Sequence, residues 1–108
     1  MTRTSLGELE ERLLLALLHV GPESYSVALV AELEARTGRS VSPAAAHMVL
    51  RRLEKRGFVT SRMGDPTPER GGRAKRLYRP TPAATEALRT SRRELQGLWE
   101  GLPAELEP

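Results

Sequence analysis

The sequence has no cysteine. That excludes a disulfide scaffold, a thiolate zinc site and a cysteine nucleophile together, and it fits a reducing cytoplasmic setting. Aromatic residues are scarce: one Trp, two Tyr and one Phe. Long apolar runs are missing too. Leu13 to Leu18 is the only strongly apolar stretch, and it is far too short to cross a membrane. It does not read as a signal peptide either. Glu8, Glu10 and Glu11 precede it where basic residues belong, and no small-residue cleavage site follows. The run reads as part of a buried amphipathic helix, with no membrane partner. The two histidines, His19 and His47, are isolated from each other and from carboxylates at ligand spacing, so no metal site is expected. No nucleophile, base and orienting group assemble, so neither an enzyme nor a cofactor is expected.

What is present is an ordinary folded composition in 108 residues, 39% hydrophobic and 29% charged, enough for one domain with one core. The net charge of +3 hides a strong asymmetry. Residues 36–80 hold twelve basic side chains against Glu54, Asp65 and Glu69, while the flanking segments together are net acidic. A cationic centre between acidic flanks is the charge pattern of a polyanion-binding protein.

Periodicity divides the chain into helices and one hairpin. A first helix is expected from about Leu6 to His19, opened by a capping box of Ser5 and Glu8 and striped by Leu6, Leu9, Leu13, Ala16, Leu17 and Val20. Gly21-Pro22 stops it. A second helix spans about Ser26 to Thr37, with Ser26 as N-cap, an apolar stripe of Ala28, Leu29, Val30 and Leu33, and Gly38 closing it. The third is the best signalled: Ser42 caps it, Pro43 takes the first helical position, and Gly57 follows its end. At 100° per residue Ala46, Val49, Leu50 and Leu53 share one side. Ala44, Met48, Arg51 and Lys55 share the other, with His47 and Arg52 beside them.

After Gly57 the segments 58–63 and 75–79 are β-prone, separated by the turn-rich stretch 64–72. This predicts a hairpin with a long basic tip. Thr81-Pro82 opens a last helix by the cap-then-proline rule, and Ala84, Leu88, Ser91, Leu95, Leu98 and Leu102 repeat in heptad steps with Trp99 alongside, until Pro103. The predicted fold is mainly α with a small β-hairpin, a winged helix–turn–helix with an added C-terminal dimerisation helix. Residues 1–80 form its DNA-binding domain and residues 81–108 its dimerisation helix with a short acidic tail, all as one structural unit.

That order of elements points to double-stranded DNA. A helix fits the major groove, and a basic hairpin reaches backbone or minor groove. The expected contacts are Ser42, Ala44, His47, Met48, Arg51, Arg52 and Lys55 on the reading helix, and Arg62, Arg70, Arg73, Lys75 and Arg76 on the wing. The glycines of the tip do not make a nucleotide-binding loop, because the Gly-Lys-Ser/Thr ending is missing. Two rivals remain. An RNA-binding or nonspecific nucleic-acid module would share the charge but would interleave aromatics among its cations, whereas this centre offers only Phe58 and Tyr78, both placed like core residues. A winged helix used for protein–protein contact would present an apolar third helix rather than Arg51 and Lys55.

The strings Gly38-Arg39-Ser40-Val41-Ser42-Pro43, Leu50 through Val59 (LRRLEKRGFV), Glu69 through Tyr78 (ERGGRAKRLY) and Thr81-Pro82-Ala83 together resemble the PadR family of bacterial transcriptional regulators, particularly its short members. The resemblance spans roughly residues 5–90 and is most specific in the third helix and wing. It implies a winged helix, a homodimer built through the terminal helices, and usually repression of nearby genes. His47 stands where the family commonly has tyrosine, and Ala84 where glycine is usual, which favours the helix. The residues name neither an operator nor a small-molecule effector.

Overall fold

The computed structural model describes residues 5–65 and 74–106. The described chain runs through α1 (Glu8–Val20), α2 (Ser26–Thr37), α3 (Pro43–Lys55), β1 (Val59–Met63), β2 (Arg76–Pro80) and α4 (Pro82–Trp99), followed by a 3-10 turn at Ala104–Leu106. One apolar core joins the four helices and the hairpin. Leu13, Leu14 and Leu17 of α1, Leu29 of α2, and Leu50 and Leu53 of α3 are fully buried there, sealed by Val59 and Tyr78 of the hairpin and by Ala84 and Leu88 of α4.

The α3 signals act as the sequence implies. Ser42 Oγ accepts from the Ala45 N–H at 3.1 Å, and Pro43 follows at the position where a missing N–H costs nothing. Gly38 and Gly57 adopt left-handed φ values of 75° and 84°, which a side chain would strain.

Two cap assignments are overturned, each by a tertiary partner, and a third holds in position only. Helix α1 starts at Glu8 rather than Leu6, and its cap is Gly7 with Glu10, not Ser5 with Glu8. Glu10 reaches back to the Gly7 N–H at 2.7 Å, while Glu8 is drawn away to Arg12 at 2.6 Å and Arg39 at 3.0 Å. Helix α2 is capped by Tyr25, not Ser26, because the preceding residue is held extended. Ser24 and Tyr78 exchange backbone hydrogen bonds of 3.0 and 2.7 Å, so one residue of the α1–α2 connection extends the sheet beyond β2. Thr81 is the N-cap of α4 and Pro82 its first residue, as expected, although the Thr81 hydroxyl donates to the Gly57 carbonyl at 2.7 Å rather than accepting from the helix.

Helix α4 also ends earlier than the heptad steps imply. It stops at Trp99, and Gly101 turns the chain at φ 83°, so Leu102 lies beyond the helix. The predicted seam divides along its length: Ala84 and Leu88 are buried in the chain's own core, and Ser91 donates to Glu11 of α1 at 2.9 Å. Leu95, Leu98, Trp99 and Leu102 remain exposed. Among the described residues no helix is long and apolar enough to cross a membrane.

Candidate nucleic-acid interface

Helices α2 and α3, joined by the five-residue turn from Gly38 to Ser42, form a helix–turn–helix whose second helix rests on the core by Ala46, Val49, Leu50 and Leu53. The same 3.6-residue period turns Ala44, Met48, Arg51 and Lys55 outward, with His47 and Arg52 on the flanks, and all six are exposed. Arg52 and Lys55 make no ion pair with any described residue, and Arg51 Nε lies 3.8 Å from Glu54 Oε1. Ser42 is at the rim of this face with its oxygen committed to the helix cap.

The hairpin is an antiparallel pair in the register Val59↔Pro80 to Met63↔Arg76. Side chains alternate across such a ribbon, so Ser61, Arg76 and Tyr78 share one face and Thr60, Arg62, Leu77 and Arg79 share the other. The first face meets α3. Ser61 Oγ donates to Glu54 Oε2 at 2.7 Å and accepts from Arg76 Nη1 at 3.0 Å. Tyr78 OH lies 3.4 Å from His47 Nδ1. Burial pushes the Tyr78 phenol above its ordinary pKa, so it stays neutral at physiological pH.

Two cations expected on the wing's DNA side are held elsewhere. Arg62 is on the face away from α3, ion-paired with Glu23, which also approaches Arg79 at 3.8 Å. The Arg62 hydrogen bond lowers the Glu23 pKa, and the same bond raises that of Arg62. Lys75 sits over the Tyr25 ring, its ammonium 3.9 Å from the centroid, a cation–π contact that ties the loop end of the hairpin ladder to the residue before α2. Arg76 stays with α3, whereas Arg70 and Arg73 of the tip lie outside the described residues.

The charge count also changes meaning in three dimensions. Arg36 pairs with Glu32, Arg39 with Glu8, and Arg56 with Glu10 at 2.5 Å and with the Ser5 carbonyl at 2.6 Å. The Arg56 guanidinium also lies 4.9 Å from the Phe58 ring centroid. These cations serve the fold. Arg51, Arg52, Lys55 and Arg76 are the ones gathered around α3. Glu54 and Ser61, which join helix to hairpin, carried no local signal in the sequence. Phe58 and Tyr78 are 8% and 1% exposed, so neither offers a base a stacking surface.

Three helices followed by a hairpin packed beside the third define a winged helix–turn–helix protein. Residues 14–90 match the transcriptional regulator PadR-like family, and the chain belongs to it. Among solved structures, it is similar to a PadR family transcriptional regulator from Eggerthella lenta, with TM-score 0.68 and 25% identity over 88% of this chain and 80% of that one. A transcriptional regulator from Clostridium thermocellum superposes with TM-score 0.69 at 21% identity, covering 83% of this chain and 82% of that one. The winged-helix DNA-binding protein F93 from STIV gives TM-score 0.65 at 11% identity, covering 87% and 92%. No curated protein is significantly similar to the chain in sequence.

Proposed function

We propose that this PadR-like regulator binds an inverted-repeat operator as a homodimer, placing α3 in the major groove of each half-site, and that it acts by repression. One observation carries the reading: α3 turns four core residues inward and leaves Ala44, Met48, Arg51 and Lys55 exposed, with the wing base latched alongside. Ala44 lets the helix backbone approach base edges closely. Arg51 reaches a guanine edge, while Arg52, Lys55 and Arg76 meet phosphate. The wing tip, with Arg70 and Arg73, follows the adjacent minor groove, where a narrow A·T-rich stretch favours arginine.

The dimer is supported by the apolar surface that one chain leaves open. Leu15 and Leu18 of α1 face Leu95 and Trp99 of α4 across a groove of about 510 Å³, with Leu98 further exposed nearby. Exposed leucines and a tryptophan clustered on a small domain support reading this face as one that meets a partner, with Glu11, Arg89 and Arg92 beside them. On this reading residues 1–80 recognise DNA, and residues 81–108 both complete the core and pair the protomers. Repression is the mode that the resemblance to PadR regulators brings with it.

The test is to capture fragmented genomic DNA on the purified protein, sequence the bound sites and then alter their spacing. Two copies of α3 address one face of B-form DNA about every 10–10.5 base pairs, so half-sites about one turn apart are expected. Inserting five base pairs turns the second half-site to the far side and is expected to abolish specific binding. Equal binding after that insertion, or full affinity for a single half-site, would refute the dimer model.

A further inference from the structure

The outer face of α3 is mostly apolar in the half that leads into the groove, with the exposed His47 at its flank. Pro43 has no N–H, and Ala44 and Ala45 end at Cβ. Ser42 gives its hydroxyl oxygen to the Ala45 N–H and its carbonyl to the Ala46 N–H, and His47 lies beside the Tyr78 hydroxyl. Apart from the exposed His47 on the flank, one long side chain projects from this half. Met48 is 67% exposed, one turn on from Ala44 and one turn before Arg51 and Arg52.

Base edges in the major groove are mainly donors and acceptors, and among the unmodified bases only thymine adds a methyl group, at C5. A methionine pressed against the donors and acceptors would strip water from polar atoms and return no hydrogen bond, and the bare C5–H of cytosine offers it less surface than a methyl. Against the methyl it exchanges water for contact on both sides. Its unbranched thioether chain can adjust to reach it, which a β-branched residue fixed at χ1 cannot do. Resting on the proposed placement of α3 in the major groove, we propose that Met48 is a specificity-determining residue that packs on the methyl group of one thymine in each half-site. Arg51 and Met48 then divide the reading between them, a hydrogen-bonded base and a methylated one.

The experiment uses the full chain and the operator recovered from genomic DNA, with each thymine replaced in turn by deoxyuridine, which removes the methyl alone. Binding is read by fluorescence anisotropy. At one thymine per half-site the replacement is expected to weaken binding about fourfold, and roughly fifteenfold when made in both half-sites, the loss for methyl groups taken out of contact. Met48→Ala is expected to bind thymine and uracil operators alike, and Met48→Leu to restore the discrimination. Both variants change an exposed side chain, and circular dichroism confirms that they fold. Wild-type protein indifferent to every uracil, or a fourfold effect that survives in Met48→Ala, would overturn the inference while leaving the proposed function standing. Recovery of no preferred sequence at all would overturn both.

Discussion

Ser61 of β1 and Glu54 of α3 are joined by a 2.7 Å hydrogen bond in which the hydroxyl donates to the carboxylate. Because the same hydroxyl accepts from Arg76 of β2, one small side chain couples α3 to both strands of the hairpin. If α3 and the hairpin meet one duplex as proposed, the angle between them matters, and this contact helps to set it. Ser61→Ala is expected to cost about 1 kcal/mol in urea unfolding, the net worth of a partly exposed hydrogen bond. It is also expected to weaken specific DNA binding without changing which sequence is preferred.

Arg51 and Lys55 lie on one face of α3, one turn apart, and are expected to separate in their effects. Arg51→Ala loses about 1–3 kcal/mol on the cognate operator and relaxes preference at one base pair. Lys55→Ala weakens cognate and random DNA alike and lowers the salt dependence of binding by about one ion. Titrations of both variants on both DNAs at several salt concentrations check this. Equal losses on cognate and random DNA for Arg51→Ala would remove it from the reading role.

Position along α4 decides what a charge does. Leu88 is 7% exposed and belongs to the core, whereas Leu98 is 74% exposed. Leu88→Asp buries an uncompensated carboxylate and is expected to unfold the chain. Leu98→Asp together with Leu95→Asp leaves the fold within about 0.5 kcal/mol of wild type but yields monomers in sedimentation. An unchanged dimer in the double variant would place the pairing surface elsewhere.

The Glu10–Arg56 pair makes stability pH-dependent in acid. Burial alone raises the Glu10 pKa, but the Gly7 N–H and the Arg56 guanidinium outweigh it, so the carboxyl titrates below its ordinary value. A depressed folded-state pKa contributes stability that is fully present above the unfolded value of about 4.3 and is lost as pH falls through the folded one. Glu10→Gln is therefore expected to cost about 1–3 kcal/mol at pH 7, and the gap from wild type is expected to narrow below about pH 4. Thermal unfolding from pH 3 to pH 7 measures it. A constant gap across that range would remove the ion pair as its cause.

The elements visible from the residues alone are those whose signals are local. Ser42, Pro43 and Gly57 mark α3 because capping, a dispensable N–H and a left-handed turn each act within a few residues. The two faces of that helix follow from its period, and the hairpin from β-prone segments around a turn-rich one. Membership of a winged-helix family was legible for the same reason, since its most specific strings lie in α3 and the wing.

What the tertiary structure decided lies in contacts between distant residues. Glu10 and Arg56 meet across 46 positions, and Glu23 and Arg62 across 39, so no window of sequence reveals which cations are already neutralised. The α1 cap moved to Gly7 because Arg56 holds the Glu10 carboxylate beside it. Ser24 became part of the sheet because Tyr78 offers it both backbone partners. A heptad pattern records that side chains share a face but not what that face meets. In α4 the first half of the stripe meets the chain's own core, and the second half stays open because the helix runs on beyond that core.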